Sequence, residues 1–226
     1  MNTEIESIKE RYDERKKNEH LLKGYSGKIF IENISKEREN VYKKIIKQNF
    51  LHISEIKLLE IGAGNGNNLQ FFINLGISSQ NIFANELLSD RVEQLRKNVP
   101  TINILPGNAL DLTFKNEFDI VFQSTVFTSI LKNDFRMQLA DKMWEMTKPN
   151  GIILWYDFIF SNPFATYIRK VSRKEIVALF SKSNNIKFYR VTLAPPISTR
   201  IGKLYTIINT LFPFLRTHVV SVIQKK

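Results

Sequence analysis

Cysteine is absent from the 226 residues. Its absence excludes disulfides, cysteine-ligated zinc, iron–sulfur clusters and a cysteine nucleophile. It is compatible with a reducing cytoplasm, the compartment expected here. No apolar run reaches the roughly 18 residues that a membrane span needs. The opening stretch MNTEIESIKERYDERKK is charged throughout and does not read as a signal peptide. Internal repeats and low-complexity linkers are also missing. What is present suits a globular chain: hydrophobic residues are 43% and charged residues 24%, too apolar for a disordered one. The length fits one α/β domain. Lys and Arg number 33 against 22 Asp and Glu, a net charge of +11. Such a balance suits nucleic acid, an anionic membrane or a phosphorylated substrate. A Lys-, Asn- and Ile-rich composition of the kind AT-rich genomes encode produces the same number with no partner at all.

Periodicity organises the chain. Residues 1–24 read as a polar helix with Ile5 and Ile8 as an apolar pair, followed by the turn Gly24-Tyr25-Ser26-Gly27. Residues 35–50 read as a helix with Ser35 as its N-cap. A regular alternation follows. Strands are expected near Lys57–Ile61, Asn81–Asn85, Thr101–Leu105, Phe118–Gln123 and Gly151–Phe158. Helices are expected over Asn67–Leu75, Ser89–Asn98 and Asn133–Thr147. Ser172, with Glu175 three residues on, has capping-box spacing for a further short helix. Ile186–Leu193 and His218–Gln224 alternate like strands, and the apolar stretch between them is an insertion. Strand–helix–strand alternation with buried strands predicts a doubly wound α/β sheet. Residues 1–226 form one domain on this reading, with 1–50 as a helical cover and 197–215 as an insertion over an acceptor site.

The sharpest signal is LLEIGAGNGNNL, residues 58–69. An apolar strand runs into Gly62-Ala63-Gly64-Asn65-Gly66 and a helix follows. Glycines there allow a tight turn and let a ligand lie against bare backbone. The dinucleotide fingerprint places its third glycine at position 67 when counted from Gly62, but that residue is Asn67. No Gly-Lys-Ser/Thr follows, so the loop is not a P-loop. Glu60, just before the turn, would repel a pyrophosphate and favour a ligand carrying an ammonium and a sulfonium. Glu86 ends the second strand, where an acid can accept both ribose hydroxyls of an adenosine. Asn108, after the third strand, can hydrogen-bond an adenine edge. Each residue alone has a bland explanation, a solvated strand end or a turn. Their placement at successive strand ends points to a nucleoside.

These segments resemble the class I S-adenosylmethionine-dependent methyltransferases. The resemblance runs through LLEIGAGNG, FANELLSDRVEQL, LPGNALDLTF, EFDIVFQSTVFTSI and LADKMWEMTKPNGIILWYDF, over roughly residues 57–158. The segments WYDFIFSNP and RVTLAPPISTRIGKLY also resemble a subgroup found in polysaccharide or secondary-metabolite gene clusters. The resemblance implies a Rossmann-like sheet of seven strands with the last antiparallel, matching the seven strands counted above. It implies S-adenosylmethionine as cofactor and a small-molecule or glycan-related acceptor, methylated on a sugar hydroxyl or phosphate-type oxygen. It implies that Glu60, Gly62, Ala63, Gly64 and Gly66 line the methionine end, and that Glu86 holds the ribose. Leu87 would pack on adenine, Asn108, Ala109 and Leu110 would flank its edge, and Gln123 and Ser124 would face the ammonium and methyl groups. Many relatives carry Asp where Asn108 stands here. Tyr12 and Tyr25 fall where helices cover the cofactor, with Tyr25 a lid candidate.

Candidates for the chemistry are fewer. Asp157, among aromatics at the end of the fifth strand, is a candidate base, and on that reading Asp157→Asn brings a large loss of turnover with cofactor binding intact. His218 is a second candidate base or substrate ligand. Thr128, Tyr156, Arg200 and Arg216 are candidates for the acceptor, the arginines because a guanidinium grips phosphate bidentately. No metal site is read from the sequence. Each of these residues is as readily a capping, packing or solvated side chain. The competing functions are a nucleic-acid methyltransferase, suggested by charge alone, a non-catalytic cofactor-binding protein, and an NAD-type oxidoreductase, disfavoured by Asn67. The fourth strand ends in Gln123-Ser124-Thr125-Val126 and lacks the Asn/Asp-Pro-Pro-aromatic sequence of amino-methylating nucleic-acid enzymes. The apolar insertion is compatible with an acceptor roof, a twin subunit or a membrane surface.

Overall fold

A computed structural model describes residues 3–17, 28–160 and 167–226. Tyr25, the turn around it and His20 lie outside the described residues. Seven strands form one sheet: β1 (Leu58–Ile61), β2 (Ile82–Glu86), β3 (Asn103–Pro106), β4 (Phe118–Ser124), β5 (Thr147–Phe158), β6 (Ile186–Leu193) and β7 (Arg216–Gln224). Their order is β3-β2-β1-β4-β5-β7-β6. β1 pairs in parallel with both β2 and β4, so the chain changes direction across the sheet at β1. β7 runs antiparallel between β5 and β6. The doubly wound sheet and its antiparallel last strand are those expected from the sequence.

Helices α1 (Glu4–Lys17), α2 (Lys28–Asn49), α3 (Leu69–Leu75), α4 (Ser89–Asn98), α5 (Asn133–Met146), α6 (Arg173–Leu179), α7 (Pro195–Ile201) and α8 (Tyr205–Leu211) surround it. α2 begins seven residues before Ser35, which is therefore helix interior and not the cap. Spacing explains why α2 persists: Tyr42, Ile45 and Ile46 lie on one face and are buried against the sheet. Tyr42 meets Phe122 edge-on at 5.4 Å and stacks beside Phe72. On the other side of the sheet α5 buries Leu139, Ala140, Met143 and Met146. Ser172 does cap α6, its hydroxyl accepting the Glu175 N–H at 3.1 Å. The Glu175 carboxylate bonds Arg136 and Arg169.

Two packing arrangements position the site. α1 is clamped over the loop after β4. The buried Glu4 carboxylate accepts the Leu131 N–H at 2.8 Å and pairs with Arg11, which donates to the Ser129 carbonyl. The stretch between β6 and β7 folds into α7 and α8 and is tied back through Glu37 of α2. That carboxylate accepts from the Thr192 N–H, the Tyr205 hydroxyl and the Asn209 amide.

Candidate active site

β1 is buried on both faces along its whole length, as a central parallel strand must be. It delivers the chain into a turn in which Gly62, Gly64 and Gly66 all have positive φ, at +66°, +58° and +85°. Only glycine takes such a run without strain. Their surroundings differ. A Cβ on Gly66 would sit 2.8 Å from Leu95 and 2.9 Å from Val99, so this glycine lets α4 pack onto the turn. A Cβ on Gly64 would meet nothing nearer than Arg91 at 4.0 Å and would project into open space. Gly66→Ala is therefore expected to destabilise the fold by about 1–3 kcal/mol, through overpacking and backbone strain. Gly64→Ala should cost less stability and more cofactor affinity. Thermal unfolding and ligand titration of the two variants separate these effects.

The open space is a cavity of about 360 Å³ at the carboxyl ends of β1, β2 and β4, the usual ligand position in open α/β sheets. Gly62, Ala63, Gly64, Glu86, Leu87 and Ser124 line it, as do Asn108 and Ala109. Glu86 organises the wall. One of its oxygens accepts the Gly64 N–H at 2.7 Å and the other the Leu88 N–H at 2.9 Å. Each oxygen keeps a lone pair for a further donor. The Asn108 side-chain oxygen accepts the Leu110 N–H at 3.1 Å. That bond leaves its amide group as the donor available to a ligand.

Behind the turn, Glu60 is fully buried. One carboxylate oxygen accepts from the Asn68 amide at 2.7 Å and the other has no partner. Burial pushes its pKa up to about 8, against the lowering pull of Asn68 and Arg38. Arg38, from the middle of α2, lines the cavity, and its buried Nε also lacks a partner. Its guanidinium lies 5.3 Å from the centre of the Tyr156 ring. Arg38 went unrecognised in the sequence, as did Arg91, which stacks on Tyr12 at 4.4 Å on the cavity wall. The i, i+4 relation of Arg38 to Tyr42 on an otherwise apolar face was the available signal.

Several sequence candidates are placed elsewhere. Asp157 is 0% exposed, beneath Gln123 and Thr128, and does not reach the cavity. Strand alternation sends Trp155 and Asp157 to the α5 face and Tyr156 to the α2 face. Burial pushes the Asp157 carboxyl up to about 7, but a base sealed there has no path to an acceptor. Asp157→Asn is accordingly expected to leave kcat within about threefold, measured in single-substrate turnover; a loss of a hundredfold or more would restore the catalytic reading. Gln123 is likewise buried, donating to the Tyr156 carbonyl and accepting the Val126 N–H, so it shapes the turn after β4.

Thr128 hydrogen-bonds the Thr125 carbonyl, and Leu110 also falls outside the cavity lining. The Tyr156 hydroxyl is engaged with Thr192 at 3.0 Å. Arg216 grips Asn209 and the Arg190 carbonyl, anchoring α8 rather than awaiting an anion. Arg200 is exposed and bonds the Pro196 carbonyl. His218 stacks on Tyr156 at 5.3 Å, and its Nδ1 lies 3.1 Å from the Thr217 hydroxyl. Desolvation, with Arg38 adding to it, pushes its pKa down to about 4, so the ring is neutral at pH 7.

Residues 58–151 match the family model described as a methyltransferase domain. That match runs from β1 to the start of β5, the part of the sheet that carries the glycine turn and the cavity. Solved structures of the same fold include a Pyrococcus horikoshii protein, at TM-score 0.62 and 13% identity, covering 85% of this chain and 89% of that one. An S-adenosylmethionine-dependent methyltransferase from Archaeoglobus fulgidus has TM-score 0.57 and 14% identity, covering 84% and 97%. A second, from Mesorhizobium loti, has TM-score 0.57 and 11% identity, covering 80% and 96%. At these identities the likeness is one of fold. No protein of curated function matches the sequence. S-adenosylmethionine is the cofactor expected of such a methyltransferase domain, and the cavity fits it. Arg38 and the doubly engaged Glu86 line the cavity, while Glu60, placed by the sequence at the methionine end, lies buried behind the glycine turn and outside the lining. Among the described residues, no helix is long and apolar enough to cross a membrane.

Proposed function

We propose that this protein transfers the methyl group of S-adenosylmethionine to an oxygen of a small-molecule or glycan-related acceptor. A phosphate-type or carboxylate oxygen is favoured over a sugar hydroxyl. The observation that carries the cofactor half is the pair of unpartnered buried groups, Glu60 and Arg38. An amino-acid zwitterion offers each its complement, an ammonium to Glu60 and a carboxylate to Arg38. Glu86 would accept from the ribose hydroxyls, Leu87 would pack on adenine, and Asn108 and Ala109 would meet its edge.

The sulfonium supplies a methyl group whose departure needs no acid. The protein's part is to align the acceptor oxygen with the breaking bond and exclude water. Among the described residues, the titratable side chains on the wall are Tyr12, Arg38, Glu86 and Arg91. Glu86 is committed to two N–H groups, and the arginines are cations. An oxygen that arrives already anionic needs no base, which is why this wall favours a phosphate or carboxylate. The test is transfer of labelled methyl to phosphorylated sugars, their unphosphorylated counterparts and RNA. Label on the phosphorylated set is expected, held as a methyl phosphodiester that phosphomonoesterase does not cleave. Label on RNA, or base-stable ether on unphosphorylated sugars, would contradict the acceptor assignment while leaving the cofactor site intact.

A further inference from the structure

Helix α8 is turned inside out. Tyr205 and Asn209, one turn apart, face the protein, where both bond Glu37, at 2.6 and 2.7 Å. The opposite side presents Ile207 and Leu211 to solvent, 57% and 65% exposed, with Leu204 before the helix and Phe212 and Phe214 after it. A soluble helix ordinarily buries its aliphatic stripe and exposes its polar one. Here polar bonds hold the helix while its apolar stripe is left uncovered by the described residues. Ile31, at the start of α2, is also half-exposed, and Asn33 nearby donates to the Gly202 carbonyl, so the two segments adjoin. Contiguous exposed apolar surface of this kind marks a docking site.

The distribution of charge says for what. Residues 1–158 hold 21 Lys and Arg and 21 Asp and Glu, and carry no net charge. Residues 159–226 hold 12 against a single acid, Glu175. Part of this excess, Lys182, Lys187, Lys225 and Lys226, lies at the far end of β6 and β7; the insertion itself, residues 194–215, carries Arg200 and Lys203 and no acid. From Ile176 to Lys226 there is no acidic residue at all, and Arg200 and Lys203 flank the apolar stripe in sequence. Two copies meeting through this face would bring like charges together. RNA would use the charge but has no need of aliphatic side chains. An anionic bilayer uses both.

We infer that the α7–α8 insertion, through Leu204, Ile207, Leu211, Phe212 and Phe214, docks this protein on an anionic lipid surface. The insertion joins the end of β6 to the start of β7, at the sheet edge where β1, β2 and β4 open into the cavity. Docking would therefore hold the active-site edge at the membrane. The inference stands apart from the acceptor assignment and is read without turnover.

The experiment is flotation of the full chain with phosphatidylcholine vesicles, with and without phosphatidylglycerol. Binding at least about tenfold tighter to the anionic vesicles and weakened by salt is expected. The double variant Ile207→Asp, Phe214→Asp should lose about tenfold or more of it. Both positions are exposed, so the thermal unfolding of that variant should match the parent; Ile207→Ser with Phe214→Ser serves if it does not. Absent or charge-independent vesicle binding would overturn the inference. So would concentration-dependent self-association, or RNA binding that both apolar variants leave unchanged, if either occurred without vesicle binding.

Discussion

Replacing Glu60 by Gln is expected to stabilise the ligand-free protein at alkaline pH and to weaken cofactor binding, two effects of opposite sign from one substitution. Burial raises the carboxyl pKa from 4.5 to about 8. A raised folded-state pKa contributes stability that is fully present below the unfolded value and is lost as pH rises through the folded one. Between pH 4.5 and 8 the unfolded chain ionises freely while the folded chain must hold a proton or bury a charge. Stability of the free protein should therefore fall across that window. Asp157 adds to the fall with the same sign between its ordinary 3.8 and about 7. Gln at position 60 keeps the acceptor for the Asn68 amide and removes the charge. At pH 8 to 9 the gain should be on the order of a few kcal/mol, read as a shift in the denaturant midpoint. S-adenosylmethionine affinity should drop about ten- to hundredfold, because a neutral amide does not pair with an ammonium as a carboxylate does. A variant with unchanged pH dependence and unchanged affinity would remove Glu60 from both roles.

Glu86→Ala should weaken cofactor binding by about 1.5–3 kcal/mol, the scale of hydrogen bonds to a charged group. The loss has two sources. The ribose hydroxyls would lose their acceptor, and the Gly64 and Leu88 N–H groups would lose the oxygens that now hold them at 2.7 and 2.9 Å. Because Gly64 belongs to the glycine turn itself, the turn should also loosen. Glu86→Gln, which keeps one acceptor oxygen, should fall between parent and Ala. Calorimetric titration of the three proteins orders them, and equal affinities would place the ribose elsewhere.

Backbone requirements and strand periodicity made the nucleoside end of this site readable. Gly62, Gly64 and Gly66 advertise a turn that other residues cannot make, and Glu86 follows at the end of the next strand. The methionine end was half readable: Glu60 stood in the motif, while Arg38 sat in the charged run KEREN, marked only by its i, i+4 relation to Tyr42. Only the packing of Tyr42, Ile45 and Ile46 on the sheet carries Arg38 over the ends of the strands. Asp157 was misplaced because β5 is buried on both faces and so carries no in/out alternation in its sequence. Trp155, Tyr156 and Asp157 look equivalent until the pleat assigns them to faces. Arg216 misled for a different reason. Its partners come from elsewhere in the fold, Asn209 on α8 and the Arg190 carbonyl on β6, and sequence does not distinguish a paired guanidinium from a free one. The inside-out character of α8 was legible only as apolarity, since what decides its orientation is Glu37, far away on α2.

The central claim is that a buried, protonated Glu60 and an unpartnered Arg38 form the amino-acid end of an S-adenosylmethionine site. Placing an ammonium against Glu60 must drive off its proton, so binding and proton release are linked. Titrating the protein with S-adenosylmethionine at pH 7, in two buffers of different ionisation enthalpy, measures both at once. The account predicts one-to-one binding with release of close to one proton, and no release from the Glu60→Gln variant. Heats that do not depend on the buffer, or no binding of S-adenosylmethionine at all, would contradict it.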